Sequence, residues 1–165
     1  MASLVEPILN EFRDEVPATR RLLERVPADK LAWKPHPKSR SLGELAMHVA
    51  SIPGMAEKIA NSDEFAASTA QPSVSSVDEI RARFEKSART AEEVLSKMTE
   101  QSAQGSWRLT FNGKTVFSKP RFAVLRTSLL NHLYHHRGQL SVYLRLLDVA
   151  VPVVYGPTAD ENPFG

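Results

Sequence analysis

The sequence predicts an all-α fold, an antiparallel four-helix bundle with a small β-hairpin before the last helix, and three observations carry that expectation. Apolar residues recur at spacings of three, four and seven in four separate stretches, which is the helical period. Two of those stretches open on Ser-x-x-Glu, the spacing of a capping box. One short stretch breaks the pattern, because Trp107, Leu109 and Phe111 alternate with polar residues ahead of Asn112-Gly113, the preferred type I′ hairpin turn. A chain of 165 residues, 42% hydrophobic and 24% charged, is of ordinary globular composition and is read as one domain over residues 1–165.

Taken in order, Leu4, Ile8, Phe12 and Val16, then Leu22, Leu23 and Val26, predict a first helix over residues 3–26, kinked or split at Pro17. Residues 27–40 are polar and proline-rich and read as a connection, with Leu31 and Trp33 available to cover an end of the core. Ser41 and Glu44 open the second helix, which carries Leu45, Ala46, Val49 and Ile52 on one face and is bent or interrupted at Pro53-Gly54. Residues 61–75 lack periodicity and read as a surface loop. Ser76 and Glu79 open the third helix, with Val77, Ile80, Phe84, Ala91, Val94, Leu95 and Met98 as its apolar stripe. After the hairpin, Ser118 and Pro120 start the last helix, which runs to about Leu147 with Phe122, Leu125, Leu129, Leu133, Leu140, Tyr143 and Leu144 on its buried side. The tail from Val149 contains Pro152, Pro157 and Pro163 and is expected to be extended.

Composition excludes several chemistries. With no cysteine there is no disulfide framework, cysteine-ligated zinc, iron–sulfur cluster or cysteine nucleophile. A formal charge of only +2, with basic and acidic residues interspersed, argues against a nucleic-acid partner in spite of a pI near 9.0. The first residues lack the basic start and apolar stretch of a signal peptide, and no run is long and apolar enough for a membrane span, so a cytoplasmic protein is expected.

The chemistry-bearing residues are histidines. His132 and His136 are four apart, an advance of about 400° around a helix, so their rings stand one turn apart on one face and can chelate one ion. That face is expected to include Leu129, Leu140 and Tyr143 and to point into the bundle. His48 lies on or beside the core face of the second helix. Three buried imidazoles are costly to leave unpaired, and a shared divalent ion satisfies all three acceptor nitrogens at once. His135 stands three residues from His132 and could compete with His136 as ligand. His36, between two prolines, reads as a loop residue.

The stretch HLYHHRGQLSVYLRLL from His132 to Leu147, followed by Val151-Pro152-Val153-Val154-Tyr155-Gly156-Pro157, resembles the C-terminal signature of the DinB-like (DinB/YfiT) family. The segment SLGELAMHVA from Ser41 to Ala50 resembles that family's other histidine-bearing segment, and residues 1–26 match as well, so the resemblance spans nearly the whole chain. It implies an up-down-down-up bundle, often a homodimer, with one divalent ion held by His48, His132 and His136, and leaves His135 beside the site. Asp148 departs from the pattern, standing where members commonly have glycine after the last helix.

Three neutral ligands leave the ion its full charge and at least one open position, where it can polarise a bound group. Imidazoles suit zinc and nickel, the leading choices, and also iron or manganese. The resemblance implies a low-molecular-weight thiol or another small molecule as partner, in S-transfer or in hydrolysis; the alternative is a non-catalytic metal-binding bundle acting in stress response or as a dimeric interaction module. Glu44 could act as a general base, although its cap role explains it without one. Arg137 could hold a substrate carboxylate, or make a salt bridge between helices or at a dimer contact. Gly138 is expected to permit close helix approach, and Tyr143 to reach the site with its hydroxyl.

Overall fold

The computed structural model describes residues 3–68 and 74–164, so residues 69–73 of the loop expected over 61–75 lie outside the described residues. The chain is mostly helical with one small sheet. In order, the elements are α1 (Glu6–Glu24), α2 (Leu42–Ser51), α3 (Met55–Asn61), β1 (Glu64–Ala66), α4 (Val77–Lys97), α5 (Glu100–Gln104), β2 (Ser106–Phe111), β3 (Lys114–Pro120), α6 (Arg121–Leu125) and α7 (His132–Leu146). A π-helical segment, Arg126–Asn131, joins α6 to α7.

The long helices close a ring of contacts: α1 packs on α4 and α7, and α2 packs on the same two. Phe12, Leu22, Leu45, Phe84, Leu95, Leu129, Leu133, Leu140 and Leu144 fill the space between them. Each buried residue of this kind contributes about 1.5–3 kcal/mol through apolar surface removed from water.

Pro17 does not split α1, which runs unbroken from Glu6 to Glu24. A proline inside a helix removes one backbone donor, and here the flanking turns hold, with Thr19 Oγ1 donating back to the Glu15 carbonyl at 2.9 Å. The capping box at the start of α2 forms as expected, Glu44 N–H to Ser41 Oγ at 3.2 Å and Ser41 N–H to Glu44 Oε2 at 2.6 Å. Pro53-Gly54 does interrupt the second helix, as a single 3₁₀ turn between α2 and α3. At α4 the box is one-sided: Ser76 Oγ caps Glu79 N–H at 3.1 Å, but the Glu79 carboxylate reaches Ser75 instead of closing on Ser76.

The hairpin of β2 and β3 turns at Asn112-Gly113, with φ of 49° and 75°, as a type I′ turn requires. β1 adds to it as a third strand, parallel to β2. Three residues are too few to show an alternating pattern, and the pairing is supported from elsewhere by Arg121. Its guanidinium donates to the carbonyls of Ile59, Ser62 and Ser106 and to Asp63 Oδ1. Pro120 closes β3 and caps α6, so the last helical run begins one residue later than the proline.

A buried ion pair ties α1 to α7. Arg137, 2% exposed, meets Glu15, 8% exposed, with Arg137 Nη2 and Glu15 Oε2 at 2.5 Å. Arg137 Nη1 also donates to Thr19 Oγ1 at 3.1 Å, and Tyr155 from the tail hydrogen-bonds both partners. The last helix ends in a Schellman motif, with Asp148 N–H to the Arg145 carbonyl and Val149 N–H to the Leu144 carbonyl, each at 3.0 Å. Asp148 sits there at φ 56°, the left-handed conformation that favours glycine.

Two outcomes follow for stability, both read by urea denaturation. Arg137→Ala leaves the Glu15 carboxylate buried without its partner and is expected to cost about 3–5 kcal/mol. Asp148→Gly relieves the left-handed backbone and removes an anion from the negative end of a helix, so it should gain about 1 kcal/mol. A neutral or negative effect of the glycine would contradict that account of the helix end.

Candidate metal centre

His48 lies two turns into α2, and the capping box that fixes the start of that helix also fixes its rotation. His132 is the first residue of α7, immediately after the π-helical segment. That segment places Leu129 and Leu130 both in the core, and it carries the Ser128 carbonyl, to which the His132 ring donates a hydrogen bond. A π turn inside a helix re-aims the residues that follow it. The buried stripe of α7 is Leu133, Arg137, Leu140 and Leu144. His132 and His136 stand half-buried at the edge of that stripe, with Leu140 and Tyr143 following at helical spacing as expected.

All three histidines are half-buried and converge. His48 Nε2 and His132 Nε2 lie 3.1 Å apart. The ring centroids are 4.9 Å apart for His48 and His132, 4.4 Å for His48 and His136, and 4.7 Å for His132 and His136. One nitrogen from each ring falls in a set whose members all lie within 4.8 Å of one another. Metal–nitrogen bonds of about 2.0–2.1 Å put two ligand nitrogens about 3.0 Å apart at a right angle and about 3.3 Å apart at the tetrahedral angle. The Nε2 pair already stands at such a spacing.

The outer nitrogen of His136 is engaged. Gln139 Oε1 accepts from His136 Nδ1 at 2.8 Å, and Gln139 Nε2 donates to His135 Nε2 at 3.2 Å. With Nδ1 donating to Gln139, His136 presents its Nε2 lone pair to the space between the helices. A histidine ligand is usually held in this way by an outer partner. Burial pushes the His48 imidazole down to about 3, with the charge of Arg40 and then the other two rings adding to it. Burial takes His136 down to about 4 against the contact with Gln139, and lowers His132 against its bond to Ser128. The three rings are thus neutral at pH 7, the form that binds a cation.

The donor set is one that could hold a divalent ion: three neutral imidazoles that converge, with one pair of nitrogens at ligand spacing. His48, His132 and His136 are brought together as expected. His135 is exposed, edge-on to His136 with centroids 4.7 Å apart, and belongs to the Gln139 contact. His36 is an exposed loop residue whose Nδ1 accepts from Lys38 N–H. Glu44 is held by the capping box, and the Ser41 N–H keeps its carboxyl below the ordinary range. Arg137 is spent on Glu15, which settles it as a bond between helices. Tyr143 donates to the Arg40 carbonyl at 3.3 Å. Gly138 is exposed, and a Cβ there would meet nothing within 4 Å, so close helix approach does not explain it.

One residue that the sequence did not single out stands out in the structure. Arg40, just before the cap of α2, has a buried Nη1 with no hydrogen-bond partner. A lone arginine in a polar loop gives no sequence signal.

A model described as the DinB family matches residues 1–162. An uncharacterised protein of Bacillus subtilis (strain 168), YrdA, is 25% identical over 162 residues, covering 98% of this chain and 93% of that protein. Among solved structures, a DinB-like protein from Bacillus cereus ATCC 10987 aligns with a TM-score of 0.70 at 27% identity, over 91% of this chain and 97% of the other. A DinB-like protein from Bacillus subtilis aligns with a TM-score of 0.68 at 20% identity, over 90% and 97%, which bears on the fold alone.

The depressed histidines make a pH prediction. A group whose folded pKa lies below its ordinary 6.5 takes up protons in the unfolded chain first, so stability is complete above about 6.5 and is lost as pH falls toward the folded values of about 3 and 4. Metal-free protein should therefore lose stability between pH 6.5 and 4.5, and His48→Gln should flatten that slope in urea titrations. Parallel slopes for the two proteins would contradict the buried, neutral triad.

Proposed function

The chain belongs to the DinB family, and from that premise we propose that it is a metal-dependent enzyme whose single divalent ion, zinc or nickel, is held by His48, His132 and His136. The observation that carries the reading is the convergence of three neutral imidazoles, with two Nε2 atoms 3.1 Å apart. When bound, the ion supplies Lewis acidity at a position the three histidines leave open, polarising the group that a ligand presents there.

The chain's own residues do the rest. Ser128 and Gln139 orient the rings of His132 and His136. The Glu15–Arg137 pair holds α7 against α1, so the rings keep their direction. The tail is fastened elsewhere, through Arg21 to the Val153 carbonyl, Arg25 to Glu161, and Arg145 to Asp160. The half-exposed histidines and this fastening support an accessible site, and hence catalysis over a sealed, non-catalytic metal-binding bundle.

The reaction we propose is transfer to or from a low-molecular-weight thiol, with hydrolysis of a small molecule as the other outcome of a substrate screen. A chain without cysteine must take any thiol from outside. Family membership and the closed ring of contacts among α1, α4, α2 and α7 support the antiparallel up-down-down-up bundle, with α2–α3 and α6–α7 each counted as one member. Exposed Val142 and Leu146, on one face of α7, support a homodimer. No described helix is long and apolar enough to cross a membrane; we read the protein as cytoplasmic, with neither membrane nor nucleic acid as its partner.

Elemental analysis of freshly purified protein should find close to one divalent ion per chain. His136→Ala should weaken metal binding beyond the roughly 10–100-fold that loss of an outer partner costs, whereas His135→Ala should stay within that range. Protein that neither carries nor takes up metal, or a loss confined to His135→Ala, would contradict the assignment.

A further inference from the structure

The unexplained polar group nearest the histidines is Arg40. Its backbone is fixed: the carbonyl accepts from Tyr143 on α7, and the next residue, Ser41, caps α2. Trp33 packs edge-on against Tyr143, centroids 5.7 Å apart, which steadies the same corner. Its side chain is only half-buried, yet Nη1 is removed from solvent without an acceptor; among the described residues no salt bridge reaches the guanidinium, although its charge is also felt at the Glu44 carboxylate. Its charge is felt at all three imidazoles, and at His48 it is the largest effect after burial.

A guanidinium there is unfavourable twice over. The buried N–H groups lack a partner, and the positive charge lies beside a place built for a cation. Both penalties disappear if an anion lies between them. From the cap at Ser41 to His48 is seven residues, about 10 Å along the axis of α2 at about 1.5 Å each. An extended arginine side chain is long enough to bridge most of such a span, so a small group could fill the rest. The planar fork of a guanidinium matches the two oxygens of a carboxylate, and one cation suits its single charge better than the double charge of a phosphate.

We propose that Arg40 binds the carboxylate of an acidic small-molecule ligand whose other end meets the metal ion held by His48, His132 and His136. The inference deepens the proposed function and rests on it for the ion, but the arginine site can be tested on its own. Arg40 is then a binding residue that selects anionic thiols or substrates over neutral ones.

The test uses the cobalt-loaded full chain, titrated with 3-mercaptopropionate and with its neutral counterpart 3-mercapto-1-propanol, binding being read from the visible spectrum. The wild type should prefer the acid by about tenfold or more, as a charge-assisted pair implies. Arg40→Gln should weaken the acid to the level of the alcohol, leave the alcohol unchanged, and bind cobalt as tightly as the wild type or tighter, because a repelling charge is gone. Arg40→Lys should recover part of the preference. A wild type that does not distinguish the two thiols, or an Arg40→Gln protein that keeps the preference, overturns the proposal. A second arm titrates metal-free protein with propionate, followed by calorimetry. Saturable binding that Arg40→Gln abolishes upholds the arginine site even if cobalt fails to bind, in which case the metal reading alone falls. Absence of saturable binding in both arms overturns the arginine site.

Discussion

The ion pair between Glu15 and Arg137 fixes the rotation of the last helix, and the direction in which His132 and His136 face follows from it. Arg137 is next in sequence to His136, so seating its guanidinium against α1 turns the histidine about 100° away, toward α2. α1 grips the same run a second time one turn earlier. Glu11 accepts from the Tyr134 hydroxyl at 2.5 Å and pairs with Arg126 in the π-helical segment. A buried pair is costly to desolvate and is weak evidence for stability by itself, but its geometry is specific. Here that specificity sets an angle on which three ligand nitrogens depend.

The other half of the centre is set by how α2 begins. The connection after α1 folds back so that Trp33 and Leu31 carbonyls accept from Leu42 and Gly43 at 2.9 Å. Gly43 suits that approach, since a Cβ would lie 3.1 Å from the Leu31 carbonyl oxygen and the connection would have to give by a few tenths of an ångström. Ser41 and Glu44 then close the helix start, His48 follows two turns on, and Arg40 is left just outside. One short segment thus sets the position of both a candidate ligand imidazole and an arginine whose charge is felt at all three rings.

Much of this was legible in the sequence, and the remainder was not for definite reasons. The long helices, the capping box at Ser41 and the Asn112-Gly113 turn are local devices, and each forms where its residues stand. His48, His132 and His136 were identifiable from spacing together with the family resemblance. The π-helical segment was not, because its widened turn answers to Leu129 and Leu130 both entering the core, a tertiary demand. Strand β1 and helix α5 are too short to show a period. Arg40 was invisible because its significance lies in what it lacks, a partner, and only three-dimensional packing reveals that.

The protein brings three imidazoles together before any ion arrives, with one pair of nitrogens already at ligand spacing. Crystal structures of metal-free and zinc-loaded protein, the latter located by anomalous scattering, test it directly. The account predicts one ion about 2.0–2.1 Å from a nitrogen of each of His48, His132 and His136, with the helices unmoved and the Gln139 contact kept. An ion bound elsewhere, or reached only after α7 rotates and the Glu15–Arg137 pair breaks, would contradict it.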